Sequence, residues 1–236
     1  MATERTPLRF RGAPTRLTAT LPSLPSAVKG GRLVLPDQEP LPLTIRRLTS
    51  TTPSLAVASV RLPKSTRPGS YAGNAEIDGA RIPAVIDVEA RPRLRFLPPK
   101  VSFRGSAGAR LRTRITVVNL GNVNAAIEPE STFCVFDGRG VDRAFYKALT
   151  ENRVNGKARI DSVLDELAES HGGLVRAVVQ NGAGELPPDT AREVTVEFNF
   201  SPRMRAGQTY RGGWLISEAS LEVEIEATET VDGGAE

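Results

Sequence analysis

Runs of five to eight residues that alternate apolar and polar, or stay apolar throughout, fill the first 90 positions and are separated by Pro and Gly. "RLTATL" (Arg16–Leu21), "GRLVL" (Gly31–Leu35), "LPLTIRR" (Leu41–Arg47) and "LAVASVRL" (Leu55–Leu62) are of this kind. "YAGNAEI" (Tyr71–Ile77) leads through Asp78-Gly79, a two-residue hairpin signal, into "RIPAVIDVEA". There Ile82, Ala84, Ile86 and Val88 fall on one face and Val85, Asp87 and Glu89 on the other, the pattern of a half-buried antiparallel strand. The reading is about seven strands in this half.

Similar punctuation resumes at Arg91. "RLRFL" and "VSFRG" flank Pro98-Pro99, and "RLRTRITVVNLGNVNAAIEP" reads as two strands about a Gly-Asn turn. "REVTVEFNF", "TYRGGWLIS" and "LEVEIEA" follow near the end. Two blocks repeat each other. "LAVASVRLPKSTRPGSYAGNAEIDGARIPAVIDVEA" and "REVTVEFNFSPRMRAGQTYRGGWLISEASLEVEIEAT" share one order: alternating strand, basic loop with a Gly, Tyr strand, tight turn, alternating strand. Tyr71 and Tyr210 are therefore predicted to be equivalent, each a ring to bury with a hydroxyl to tie to backbone.

An insert interrupts the second half, about Asp137 to Thr190. "VDRAFYKALTENR" has Val141, Phe145 and Leu149 at helical spacing, with Asp142 as N-cap. "DSVLDELAESHGG" predicts a second helix, capped by Asp161, striped by Val163, Leu164 and Leu167, and stopped by Gly172-Gly173. "LVRAVVQNGAGELPPDT" adds a strand and a loop.

The strand cadence predicts an all-β chain: two tandem immunoglobulin-like antiparallel β-sandwiches, residues 1–90 and 91–236, the second with a two-helix insert at about 137–190. "ITVVNLGNVNAAIEP" (Ile115–Pro129) resembles the strand–turn–strand of bacterial immunoglobulin-like modules, and "RPGSYAGNAEIDG" (Arg67–Gly79) is similar to their Tyr strand. The resemblance implies a spacer, scaffold or binding surface, of a kind common in exported proteins.

Composition narrows the chemistry. The single Cys134 rules out an internal disulfide, and with one His, His171, it leaves only carboxylates for a metal site. "LDELAE" (Asp165, Glu166, Glu169) reads as a solvated helix face, Cys134 as a buried inert thiol and His171 as a helix C-terminal residue. No Walker or dinucleotide-binding fingerprint is present, and aromatic content is 5%, too sparse for a stacking platform. No enzyme activity, cofactor, metal or small-molecule substrate is expected. "MATERTPLRFRGAPTRL" has no apolar h-region and no window reaches a membrane span, so a cytoplasmic location is expected.

Charge supplies the functional hint. Residues 1–120 carry 20 Lys and Arg against 7 Asp and Glu, a net +13, whereas residues 121–236 carry 11 against 20, a net −9. Arg91, Arg93 and Arg95 alternate in "RPRLRF", and Arg110, Arg112 and Arg114 alternate in "ARLRTRITV". Period-2 spacing puts each trio on one strand face, and pairing of the two strands would set six guanidiniums together. Such a face needs an offset, whether Asp87 and Glu89, an acidic partner or a polyanion, or it is a solvated Arg-rich surface. The leading expectation is a binding or assembly protein, a scaffold or accessory subunit that docks onto a protein partner or self-associates through these arginines and the insert. The alternative is binding of nucleic acid or an anionic membrane surface through the same face.

Overall fold

The computed structural model describes residues 7–22, 30–36, 39–48, 55–137, 146, 150, 163–165, 167–168 and 170–229. The chain divides into two compact units. The first comprises residues 1–93 with 120–124 and 187–189, and the second residues 94–119, 125–186 and 190–236.

In the first unit the alternating runs become β1 (Leu8–Ala13), β2 (Arg16–Pro22), β3 (Gly30–Val34), β4 (Leu41–Leu48), β5 (Leu55–Val60), β6 (Gly69–Ile77) and β7 (Ala80–Val88). They form a closed barrel in the order β1-β2-β5-β4-β3-β6-β7. Closure comes from β1, which pairs antiparallel with β2 and parallel with β7. Gly12 makes that double pairing possible: its φ is +137°, and a Cβ there would lie 2.7 Å from the Arg16 carbonyl oxygen. Every second residue turns inward, so Phe10, Leu17, Leu33, Ala58, Val60, Ala75 and Ile86 form the core. Asp78 and Gly79 both take positive φ between β6 and β7, as a two-residue hairpin requires.

The second unit holds β8 (Leu94–Leu97), β9 (Lys100–Ser106), β10 (Arg110–Asn119), β11 (Ala125–Ile127), β12 (Glu130–Asp137), β13 (His171–Asn181), β14 (Gly184–Leu186), β15 (Ala191–Asn199), β16 (Thr209–Ile216) and β17 (Ala219–Thr228). Eight strands form one sheet, β8-β10-β15-β13-β12-β16-β17-β9, and β11 pairs with β14 alone. Trp214 is buried edge-on against Phe198, with ring centroids 5.5 Å apart, and donates its indole N–H to Ser131 Oγ. Phe103, Phe133 and Phe200 extend this ring cluster, and Phe96 and Tyr210 are buried in the same core.

The two strand orders coincide when β8 and β9 are taken as one strand broken at Pro98-Pro99. The first strand pairs with the second at one end of the sequence of neighbours and, parallel, with the last at the other. The repeated tyrosines occupy matching places. Tyr71 stands on β6 and donates its hydroxyl to the Arg67 carbonyl at 2.8 Å. Tyr210 stands on β16 and its hydroxyl accepts from the Arg205 amide at 2.9 Å. Each is on the penultimate strand of its unit and bonds backbone four or five residues upstream.

The insert is shorter than the sequence pattern suggests. It leaves the sheet after Asp137 and returns at His171, because β13 is an interior strand paired with both β12 and β15. Gly172 and Gly173 do not stop a helix; they belong to β13, where a Cβ on Gly172 would strike the Tyr210 ring and one on Gly173 the Ser201 side chain. Of the two expected helices, Tyr146, Thr150, Val163–Asp165, Leu167, Ala168 and Ser170 are helical. Asp142, Phe145, Leu149, Asp161 and the other insert positions lie outside the described residues.

Candidate interaction surfaces

Two of the six predicted arginines are not on a strand. Arg91 and Arg93 precede β8, in a stretch held by backbone bonds from Asn122 to the Arg91 carbonyl and from Leu120 to the Arg93 carbonyl. Pro92 lacks an N–H for a ladder, and the buried Asn122 takes the Arg91 amide through its Oδ1 at 2.6 Å. Asn122 Nδ2 also donates to the carbonyls of Thr66 and Glu89. Of that first trio only Arg95 is on β8, opposite Val118 of β10.

Arg110, Arg112 and Arg114 share the outer face of β10 and are exposed. The pairing of β8 covers only Thr116 to Asn119 of β10, so the two trios do not lie side by side. The neighbour of the β10 trio is β15. Arg112 is opposite Glu197 and donates to its Oε2 at 2.7 Å, with Thr195 opposite Arg114 and Asn199 opposite Arg110. Arg110 and Arg114 have no carboxylate partner among the described residues.

The acidic half of the sequence answers much of the basic half inside the second unit. Lys100 and Arg104 on β9 face Glu222, Glu224 and Glu226 on β17, with contacts of 2.8 Å to Glu224, 3.4 Å to Glu222 and, from Arg104, 3.5 Å to Glu226. Arg211 reaches Glu224 from β16 at 2.8 Å. The hydrogen bond to Glu224 outweighs desolvation and raises the Lys100 pKa, while Lys100, then Arg211, lowers that of Glu224. On β13 and β12, Arg176 forms a two-point contact with Glu130 that lowers the Glu130 pKa and raises that of Arg176. Counted by unit, the first has 14 Lys and Arg against 8 Asp and Glu and the second 17 against 19, net +6 and −2. Taking the unit boundary in place of residue 120 roughly halves the imbalance, and Lys100, Arg104 and Arg112 meet carboxylates of the acidic half across strands of the second unit.

The first unit repeats this arrangement on its own parallel pair. Arg9 approaches Asp87 at 3.8 Å and Arg11 donates to Glu89 at 2.9 Å, joining β1 to β7. Asp87 and Glu89 thus neutralise these two arginines, not the β10 face. A different cluster has no such counterpart among the described residues. Arg16, Arg46 and Arg61 line an open depression of about 510 Å³ on the outside of β2, β4 and β5, with Thr15, Thr18, Val57, Ser59 and Val60.

Cys134 is exposed, not buried. Phe133 and Val135 take the inward phase of β12, which turns Cys134 and Phe136 outward. His171 begins β13 and packs its ring on Phe136, centroids 5.2 Å apart. No group of three His, Cys, Asp or Glu side chains suited to a metal gathers among the described residues. No helix among them is long and apolar enough to cross a membrane.

No protein-family model and no curated protein matches the chain. Solved structures similar to it include fibronectin(III)-like modules of CbhA from Clostridium thermocellum, at 11% identity over 100% of this chain and 96% of that chain, TM-score 0.24. Others are a protein of unknown function from Porphyromonas gingivalis (10% identity, 94% and 97% covered, TM-score 0.26) and domains 4 and 5 of the S-layer protein SbsC (12%, 79% and 77%, TM-score 0.27). Similarity at this level leaves the architecture to be read from the strand order itself.

Proposed function

We propose that the chain is a non-enzymatic binding or assembly protein: two tandem immunoglobulin-like β-sandwiches whose charged outer faces, with the helical insert, dock onto a protein partner. The shared strand order, with a first strand that serves both neighbours, supports the sandwich reading. So does the pair of tyrosines tied to the preceding loops.

The observation that carries the functional reading is the β10 face. Arg112 is matched by Glu197, yet Arg110 and Arg114 on either side are exposed and have no carboxylate partner among the described residues. Guanidiniums in this setting suit two-point contacts with carboxylates of another surface. The test replaces Arg91, Arg93, Arg95, Arg110, Arg112 and Arg114 with Ser and measures capture of the native partner, with DNA and anionic vesicles alongside, across a salt series. Loss of the protein partner with no change toward DNA supports the reading. Affinity for DNA or vesicles that falls steeply with salt, and less steeply in the variant, transfers the face to a polyanion. Unchanged binding to all three returns it to solvated surface.

A further inference from the structure

We infer that the outer face of β2, β5 and β4 is a docking surface for an acidic segment of a partner protein. The register builds the face directly. Thr18 of β2 and Thr44 of β4 both stand opposite Ser59 of β5, so three hydroxyl side chains form one row across three strands. Arg46, opposite Val57, lies on one side of the row. Arg16 and Arg61 lie on the other, beyond the paired Leu17 and Val60. All three arginines are exposed and line the same open depression.

None of the three has a carboxylate partner among the described residues, and the sequence explains why. Between residues 5 and 75 there are 11 Lys and Arg but only two carboxylates, Asp37 and Glu39, and none falls on β2, β4 or β5. The next strand over brings Arg11 opposite Thr18, but the carboxylate beside it, Glu89, is already bonded to Arg11. Like charges grouped on a sheet face are destabilising until an anion joins them. On the β1-β7 and β9-β17 seams the outward Arg and Lys are answered by Glu or Asp on or just beyond the neighbouring strand. On β10 Arg112 is answered by Glu197, although Arg110 and Arg114 are not among the described residues. On the β2-β5-β4 face that complement is missing among the described residues and is left for a partner to provide.

Chemistry selects the occupant. The depression is open and spans three strands, which suits an extended segment better than an enclosed small molecule. No aromatic side chain lines it, so it offers no stacking platform for nucleobases. Carboxylates can accept from the guanidiniums in pairs while the hydroxyl row bonds the backbone or side chains between them.

The inference rests on the reading of the chain as a protein-binding module, but on a face separate from the β10 arginines. A labelled oligoglutamate peptide is titrated against the wild-type chain, an Arg16→Ser/Arg46→Ser/Arg61→Ser variant and the six-Ser variant, across a salt series. The expected result is wild-type binding that weakens with salt, a loss of about tenfold or more in the triple variant, and retention in the six-Ser variant. The triple variant should melt no lower than wild type, because it loses repulsion and no ion pair or hydrogen bond among the described residues. Absent peptide binding, or equal binding by the triple variant, overturns the inference. So does a duplex DNA probe that binds more tightly than the peptide through these same three arginines. If native-partner capture is lost only in the six-Ser variant, this face is excluded while the broader function stands.

Discussion

The ring of Tyr210 holds position 172 to glycine. A Cβ added to Gly172 would lie 2.4 Å from Tyr210 Cδ1 and 2.6 Å from Cε1, so the ring occupies the volume that any other residue would need. Gly172→Ala is expected to destabilise the second unit by about 1–3 kcal/mol through overpacking. Combining it with Tyr210→Ala should cost less than the sum of the two single changes, since the clash disappears with the ring. Denaturant melts of the four proteins test this, and strict additivity would refute the contact.

The two tyrosines should differ in cost although they match in position. Tyr210 is buried, and Tyr210→Ala should cost about 3 kcal/mol or more. Tyr71 is only half-buried, so Tyr71→Ala should cost distinctly less. Each Tyr→Phe change removes one hydroxyl bond to backbone and should cost about 1 kcal/mol. Equal losses for the two alanine variants would contradict the burial difference.

What the sequence made legible was local. Alternation placed the faces of β7, and Asp78-Gly79 announced its hairpin, because both signals lie within a few neighbouring residues. The long-range pairings were not readable in this way. The charge division looked like two oppositely charged halves until β9 was found beside β17 and β10 beside β15, strands far apart in sequence. Gly172-Gly173 resembles a helix stop, whereas the reason for glycine is a ring from β16 and a serine from the loop after β15. In "TFCVF" both phases contain a Phe, so alternation alone could not say that Phe133 turns in and Cys134 out. The Arg16, Arg46 and Arg61 cluster appears only after three strands are aligned, and no single stretch contains it.

Asn122 is a polar clamp in the first unit, with its side chain serving the carbonyls of Thr66 and Glu89 and the amide of Arg91. Asn122→Ala strips three backbone groups of a partner at once, and a loss of about 2 kcal/mol or more is expected. Asn122→Asp keeps the acceptor but loses the two donations, so it should also be destabilised. Hydrogen exchange at the Arg91 amide separates them: faster in the alanine variant, near wild type in the aspartate variant.

The Lys100–Glu224–Arg211 cluster predicts a stability plateau with two limbs. The pKa of Glu224 is lowered on folding, so its contribution is complete above the ordinary carboxylate range and fades as pH falls through the folded value. The pKa of Lys100 is raised, so its contribution is complete below the ordinary lysine range and fades as pH rises through the folded value. Melting temperature against pH should drop below about pH 4, and Glu224→Gln should make that acid limb shallower. Lys100→Met should flatten the alkaline limb and also make the acid limb shallower, because Lys100 is the first cause of the lowered Glu224 pKa. An acid limb unchanged in Glu224→Gln would remove this cluster as a contributor.

In both units the opening strand runs parallel to the closing one, β1 beside β7 and β9 beside β17, and each pair is crossed by basic-to-acidic contacts. Tension applied at the two ends of a unit pulls such strands along each other in opposite directions. The hydrogen bonds and ion pairs between them then share the load in shear instead of parting one at a time. Under force, where survival is set by the unfolding rate, each unit should therefore resist extension at its first-to-last strand seam, and added salt should lower that resistance by screening the ion pairs.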